Sequence, residues 1–275
     1  MNKHILAVLF ITACFLLSGC KKQTTQTGGT TVTEDTKAAE KPPKAEKKQE
    51  DLVITETVEE TDVPALISQA IQYQVINEHK KAVAYLRKAK QLKPDTTEVR
   101  ELLIKSYREL GASKYELNEL KELIGIKPDN TYRVRCAQIL REKKAYSEAI
   151  NAIEDVRAVD PENISAILEL GRIYKDQKMF EEAIETFKEI TYIDEKNALS
   201  KYYLAEIYLD QNKLLWADKY YKDALKRDPA LGLAEYGLAK IAKIRNDNAN
   251  YESHLSRAYE LNPENEEIRK AYLKR

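Results

Sequence analysis

Histidine, cysteine and paired acids are the residues from which this chain would build chemistry, and they are few and scattered. It has three histidines, His4, His79 and His254, and three cysteines, Cys14, Cys20 and Cys136. A nucleophile needs its base beside it, and a metal needs several ligands within a few ångströms. His79 and His254 stand far apart on helical segments, so no histidine-based catalytic or metal site forms between them. The adjacent acids Glu181-Glu182 and Glu266-Glu267 point to different sides of a helix and read as solvated surface. Gly111, Gly125, Gly171, Gly232 and Gly237 are single glycines at turns or helix contacts, and no glycine-rich phosphate loop is present. Lysine and arginine number 45, as do aspartate and glutamate, so no basic field exists to hold nucleic acid. No cofactor, metal or small-molecule substrate is expected, and the chain reads as a non-enzyme. Binding remains, and which residues bind depends on the elements that position them.

Those elements are repeated. Pro94, Pro128, Pro161, Pro229 and Pro263 stand 34, 33, twice 34 and again 34 residues apart, with the missing rung at Asp194-Glu195-Lys196. Stacked units must bury equivalent residues, so other columns align with the prolines. Ala82, Ala149, Ala183 and Ala217 form a small-residue column in which Glu116 and Tyr251 are exceptions. Tyr73, Tyr107, Leu140, Tyr174 and Tyr208 form a large one that ends in Ala242, and Leu86, Leu120, Ile153, Phe187, Tyr221 and Leu255 form another. The unit carrying Leu170, Gly171, Tyr174, Ala183, Phe187 and Ile190 resembles the tetratricopeptide repeat, a helix-turn-helix of about 34 residues. The next unit, with Leu204, Ala205, Tyr208, Ala217, Tyr221, Ala224 and Pro229, resembles it nearly as well. The resemblance implies an all-α solenoid, a right-handed superhelix of about six repeats over 62–265 closed by a capping helix at 264–275. Ile268, Tyr272 and Leu273 would supply the apolar side of that cap. Cys136, beside Ala137 on the packing face of the third unit, is expected to be a buried apolar residue rather than a nucleophile.

The amino terminus reads separately. Lys3 precedes an apolar run from Ile5 to Leu17 that is too short to span as an ordinary membrane helix. Leu17-Ser18-Gly19-Cys20 resembles the bacterial lipobox, which implies a signal peptide over 1–19, lipidation of Cys20 and anchoring without crossing. Lys21 stands where an aspartate would favour inner-membrane retention, so the resemblance implies the outer membrane. Residues 20–61, rich in Thr, Lys, Glu and Gln, read as a disordered tether spanning roughly 35 Å on average. Leu52-Val53-Ile54 and Val58 interrupt it, as a docking strand, a segment packed on the first repeat, or a few apolar residues in disorder.

Helix geometry then gives the candidate binding face. At about 100° per residue, Ile167, Leu170, Gly171 and Tyr174 share one arc of their helix, while Ser165, Leu168, Arg172, Lys175 and Asp176 share the opposite one. The resemblance implies that the first helices of the units line a concave groove, so the second arc should face it. Lys105, Arg108, Arg141, Arg172 and Lys175 make this face basic in the second to fourth units, tempered by Glu101, Glu109 and Glu142. That pattern suits an extended acidic or carboxylate-ended peptide. Leu199, Tyr202, Leu209, Leu233, Tyr236, Lys240 and Lys243 make it apolar and aromatic in the fifth and sixth. Ion pairing between stacked helices is the alternative for the basic group, and core widening the alternative for Tyr202 and Tyr236. The paired Lys and Asn positions of chaperone-binding relatives are not matched, so a chaperone tail is not implied. The chain is expected to be a membrane-anchored, non-catalytic scaffold for a protein or peptide partner in the bacterial envelope. A pilotin-like assembly factor and a surface adhesin are the alternatives.

Overall fold

The computed structural model describes residues 52–55 and 57–274, and the expectations for 1–51, Cys20 among them, lie outside the described residues. Residues 49–275 form one compact unit. Its helices come in pairs: α1 (Val63–Val75) with α2 (His79–Leu92), α3 (Thr97–Glu109) with α4 (Ser113–Ile126), and α5 (Asn130–Glu142) with α6 (Tyr146–Val159). The pairs continue as α7 (Ile164–Asp176) with α8 (Phe180–Ile193), α9 (Ala198–Asp210) with α10 (Leu214–Arg227), and α11 (Gly232–Ile244) with α12 (Asn248–Leu261). A single helix, α13 (Glu266–Leu273), follows. The described residues form an all-α solenoid with no strand.

Two local devices repeat along it. Inside each pair the turn residue is left-handed: Asn77, Gly111, Lys144, Lys178, Asn212 and Asn246 have φ between 57° and 65°. The next N–H then donates back to a carbonyl in the last turn of the first helix, as from Glu78 to Tyr73 (2.8 Å) and from Met179 to Tyr174 (3.0 Å). This closure satisfies carbonyls that the helix end would orphan. Between pairs, an Asx side chain caps most of the incoming helices, though not α3 or α11: Asn163 accepts from the Ala166 N–H, Asn197 from Ser200 and Asn265 from Ile268. The rung without proline is built by Asp194, which accepts from the Lys196 N–H at 3.0 Å, as Asp228 does from Ala230. The irregular 33-residue spacing arises because α4 and α5 are joined by 127–129, one residue fewer than 93–96 between α2 and α3.

The core is a seam along the array. Leu66, Leu86, Val99 and Leu103 begin it, Leu120, Ile139, Ile153 and Ile173 continue it, and Ile167, Phe187, Tyr221 and Leu238 carry it onward. Leu52, Ile54 and Val58 pack against the first cluster, so this part of the leader lies on the first repeat. Gly171 and Gly237 are close approaches: an added Cβ would lie 2.6 Å from the Phe187 ring and 2.3 Å from the Tyr221 ring. In the last pair large and small residues exchange columns, with Ala242 in the tyrosine column and the half-buried Tyr251, beneath Lys243, in the alanine column.

Candidate functional site

The first helices α3, α5, α7, α9 and α11 carry the candidate groove residues, and the structure ties most of them to acids of the same chain. Arg141 of α5 donates to Glu169 and Asp176 of α7, each at 2.6 Å. Arg172 donates to the same Glu169 at 2.9 Å and lies over the Tyr203 ring. Lys175 reaches Asp210 of α9 at 3.5 Å, so the contact of Arg141 with Asp176 recurs one unit later. Glu169 is buried, and burial raises its pKa against the opposing pull of Arg172 and Arg141. Such a carboxylate needs its cations.

A second buried acid explains an exception in the repeat. Glu116 fills the alanine column in α4 with its side chain 1% exposed. Arg135 donates to both its oxygens, at 2.8 and 2.9 Å, and Arg108 donates to Oε1 at 3.0 Å. Arg135 was not among the residues singled out by sequence. The acid in a small-residue column was the available signal for it, because a buried carboxylate demands a cation nearby. Arg108 remains half exposed, and Lys105 is exposed.

Arg108 and Arg135 border a cleft of about 530 Å³ in this groove, lined also by Tyr132, Gln138, Asn163 and Ser165. Arg135 contacts Gln138, and the Tyr132 hydroxyl donates to Glu101, which also takes Lys127. These two contacts hold the Glu101 carboxyl below its ordinary range, the Lys127 bond first. The cleft is therefore bordered by guanidinium and amide groups held by bonds within the chain.

The aromatic end is arranged differently. Tyr202 and Leu209 pack against the core of the fifth and sixth units, with the Tyr202 ring 5.0 Å from Tyr203 and 6.0 Å from Tyr221. Burial raises the Tyr202 phenol pKa. The Tyr221 ring passes through the space left by Gly237, and its hydroxyl donates to Glu206, which also accepts from Lys240 at 3.0 Å. Lys240 lies over the Tyr236 ring. Burial, then the Glu267 carboxylate of α13, pushes the Tyr236 phenol up to about 12. Lys240 and Tyr236 thus meet in one cluster, whereas Tyr202 and Leu209 serve packing.

Cys136 is buried, and burial pushes its thiol up to about 11, so it stays protonated at neutral pH. Glu235 of α11, also buried, binds His254 at 2.7 Å and Arg257 at 3.0 Å, well away from the cleft residues in sequence. Among the described residues no group of three or more His, Cys, Asp or Glu is placed to hold a metal. No described helix is long and apolar enough to cross a membrane.

A sequence model of the tetratricopeptide repeat matches residues 140–207. No curated protein matches the chain in sequence. The fold is similar to that of PilF from Pseudomonas aeruginosa, at a TM-score of 0.52 and 17% identity over 78% of this chain and 97% of that one. It is similar to PilW, described as a widely conserved type IV pilus biogenesis factor, at 0.57 and 19% over 76% and 97%. A tetratricopeptide repeat protein from Parabacteroides merdae ATCC 43184 matches at 0.60 and 16% over 77% and 87%. At these identities the likeness is one of fold.

Proposed function

The chain carries tetratricopeptide repeats, and from that premise we propose that it is a lipid-anchored scaffold of the bacterial envelope, at the outer membrane, whose groove holds an extended segment of a protein partner. Leu17-Ser18-Gly19-Cys20 supports the anchor, with Cys20 as the acylated residue. The observation that supports the groove most directly is the cleft bordered by Arg108, Arg135 and Gln138. Its donors are held by Glu116 in advance, so little side-chain entropy is left to lose on binding. A carboxylate of the partner, terminal or side-chain, is the group that suits the half-exposed Arg108. An assembly role of the kind PilW's description names is a narrower form of this reading, which the partner's identity would decide.

Arg141 and Arg172 are unsuitable probes, because removing them strands the buried Glu169. Arg108→Gln with Gln138→Ala is the better variant, because Arg135 still pairs with both oxygens of the buried Glu116. Capture from crosslinked cells should retain a partner on the natural protein and lose it on this variant. Equal capture by both would place binding outside the cleft. The anchor is tested separately: labelled palmitate should enter the natural protein and not Cys20→Ser, and labelling of both would refute acylation at that residue.

A further inference from the structure

First helices of neighbouring pairs touch one another, as α5 touches α7 and α9 touches α11, which leaves the second helices on the outer side of the array, and one of them differs from its neighbours. On α10, Leu215, Lys219, Lys222 and Lys226 fall within one narrow arc at about 100° per residue, and all are exposed. Leu215 is 80% exposed, and beside it is Trp216, 52% exposed and the sole tryptophan of the chain. The equivalent arc of α8 carries Glu181, Glu185, Lys188 and Tyr192, and that of α12 carries Ala249, Ser253, Ser256 and Glu260. Only on α10, among the described second helices, does the outward arc join a large apolar residue and three lysines next to a tryptophan.

This arrangement is ordered without a partner. The Trp216 ring stacks on Tyr208 at 6.1 Å, Tyr208 stacks on Tyr220 at 5.3 Å, and the Lys219 ammonium lies 5.3 Å from the indole centre. Acids stand on the shoulders of the arc rather than on its crest: Asp218 pairs with Lys222 at 2.8 Å and Asp223 with Lys226 at 3.1 Å. On α8, Glu185 is held by Lys188 at 2.8 Å. A protruding leucine and an amphipathic indole, followed along the same ridge by ammonium groups on long stems, match the layering of a bilayer surface. The apolar tips suit the acyl boundary, the indole the interface, and the lysines the phosphates.

We propose that the outward face of α10, formed by Leu215, Trp216, Lys219, Lys222 and Lys226, docks on a lipid bilayer carrying anionic headgroups. The docking rests on the anchored reading above for its bilayer, since an acylated Cys20 keeps the array within tether's reach of one. It would turn the groove of the first helices away from the membrane and toward partners, because the two helices of each pair line opposite sides of the array.

The test uses residues 49–275, the compact unit whose core runs from Leu52 to Ile268. The unanchored array is mixed with vesicles of phosphatidylcholine alone or of phosphatidylcholine with phosphatidylglycerol, and Trp216 itself reports. With the anionic vesicles its emission should move to the blue and be quenched by brominated acyl chains, with the effect weakening as salt is added. Leu215→Ser with Lys219→Glu and Lys222→Glu should weaken binding by about tenfold or more at unchanged helical circular dichroism. Lys222→Glu with Lys226→Glu, which leaves the packed Trp216 alone, should weaken it in the same direction. An unmoved emission, equal binding to neutral vesicles, or charge variants that bind as the natural array does would overturn the proposal, as would a patch that takes up protein and ignores vesicles. Any of these results leaves the anchor to palmitate labelling and the groove to capture.

Discussion

At Gly111, Lys144 and Lys178 the backbone adopts one left-handed conformation, with φ of 65°, 60° and 63°, but only the first lacks a Cβ. No atom stands within 4 Å of a Cβ added at Gly111, so its substitution tests backbone strain alone. Gly111→Ala should destabilise the array by about 1 kcal/mol in urea titration, and Lys178→Gly should stabilise it by a similar amount or less. A stabilised Gly111→Ala would refute the strain account. Cys136 gives a second prediction at this scale. Its thiol, ordinarily near 9, is pushed up to about 11 by burial. A folded-state pKa above the unfolded one means stability that is full below about pH 9 and is lost as pH rises toward 11, roughly 2–3 kcal/mol for a shift of this size. Cys136→Ala should flatten that part of the alkaline stability curve, and an unchanged slope would show that the thiol titrates alike in the folded and unfolded states.

Helix pairs are held at distances set by single atoms. Gly237 lets α11 approach the Tyr221 ring of α10, where a Cβ would stand 2.3 Å from the ring carbon that bears the hydroxyl. Gly237→Ala should therefore cost on the order of 1–3 kcal/mol. The same column holds leucine at Leu86, Leu120 and Leu255, so Tyr221→Leu is the natural relief. The cost of Gly237→Ala should fall sharply in the Tyr221→Leu background, a coupling that a double-mutant cycle measures directly. Costs that simply add would mean that the contact is accommodated by a helix shift instead.

Because each pair packs on its neighbours, stability along the array should behave as a chain of local interfaces. The last interface belongs to α13, where Ile268 is fully buried and Tyr272 stacks on Tyr259 at 4.3 Å. A chain ending at Asn262 should lose protease resistance and amide-exchange protection first in α11 and α12, while α1 to α6 keep theirs. Unchanged resistance in the last pair would refute the cap, and uniform loss would refute the one-dimensional account.

The sequence by itself determined the helix pairs and their number, because a face buried in one unit must be buried in the next, and that condition writes itself as columns such as Ala149, Ala183 and Ala217. It also marked its own irregularities: the rung at Asp194 lacks proline yet builds the same turn, since an aspartate carboxylate accepts the same kind of N–H. The left-handed turns at Asn77, Gly111, Asn212 and Asn246 use residue types that tolerate that conformation, whereas Lys144 and Lys178 adopt it with side chains that give no such signal. Which groove cations face a ligand was not legible. Arg141 and Glu169 are 28 residues apart, and the helical arc that brings one toward the groove is compatible with the other beside it or beyond reach. Only the stacking of the units decided that Arg141, Arg172 and Lys175 engage Glu169, Asp176 and Asp210, and that Glu116 draws in Arg135. Periodicity records how often a residue is buried, whereas the neutralisation of a buried charge depends on distances across units, which only the tertiary structure sets.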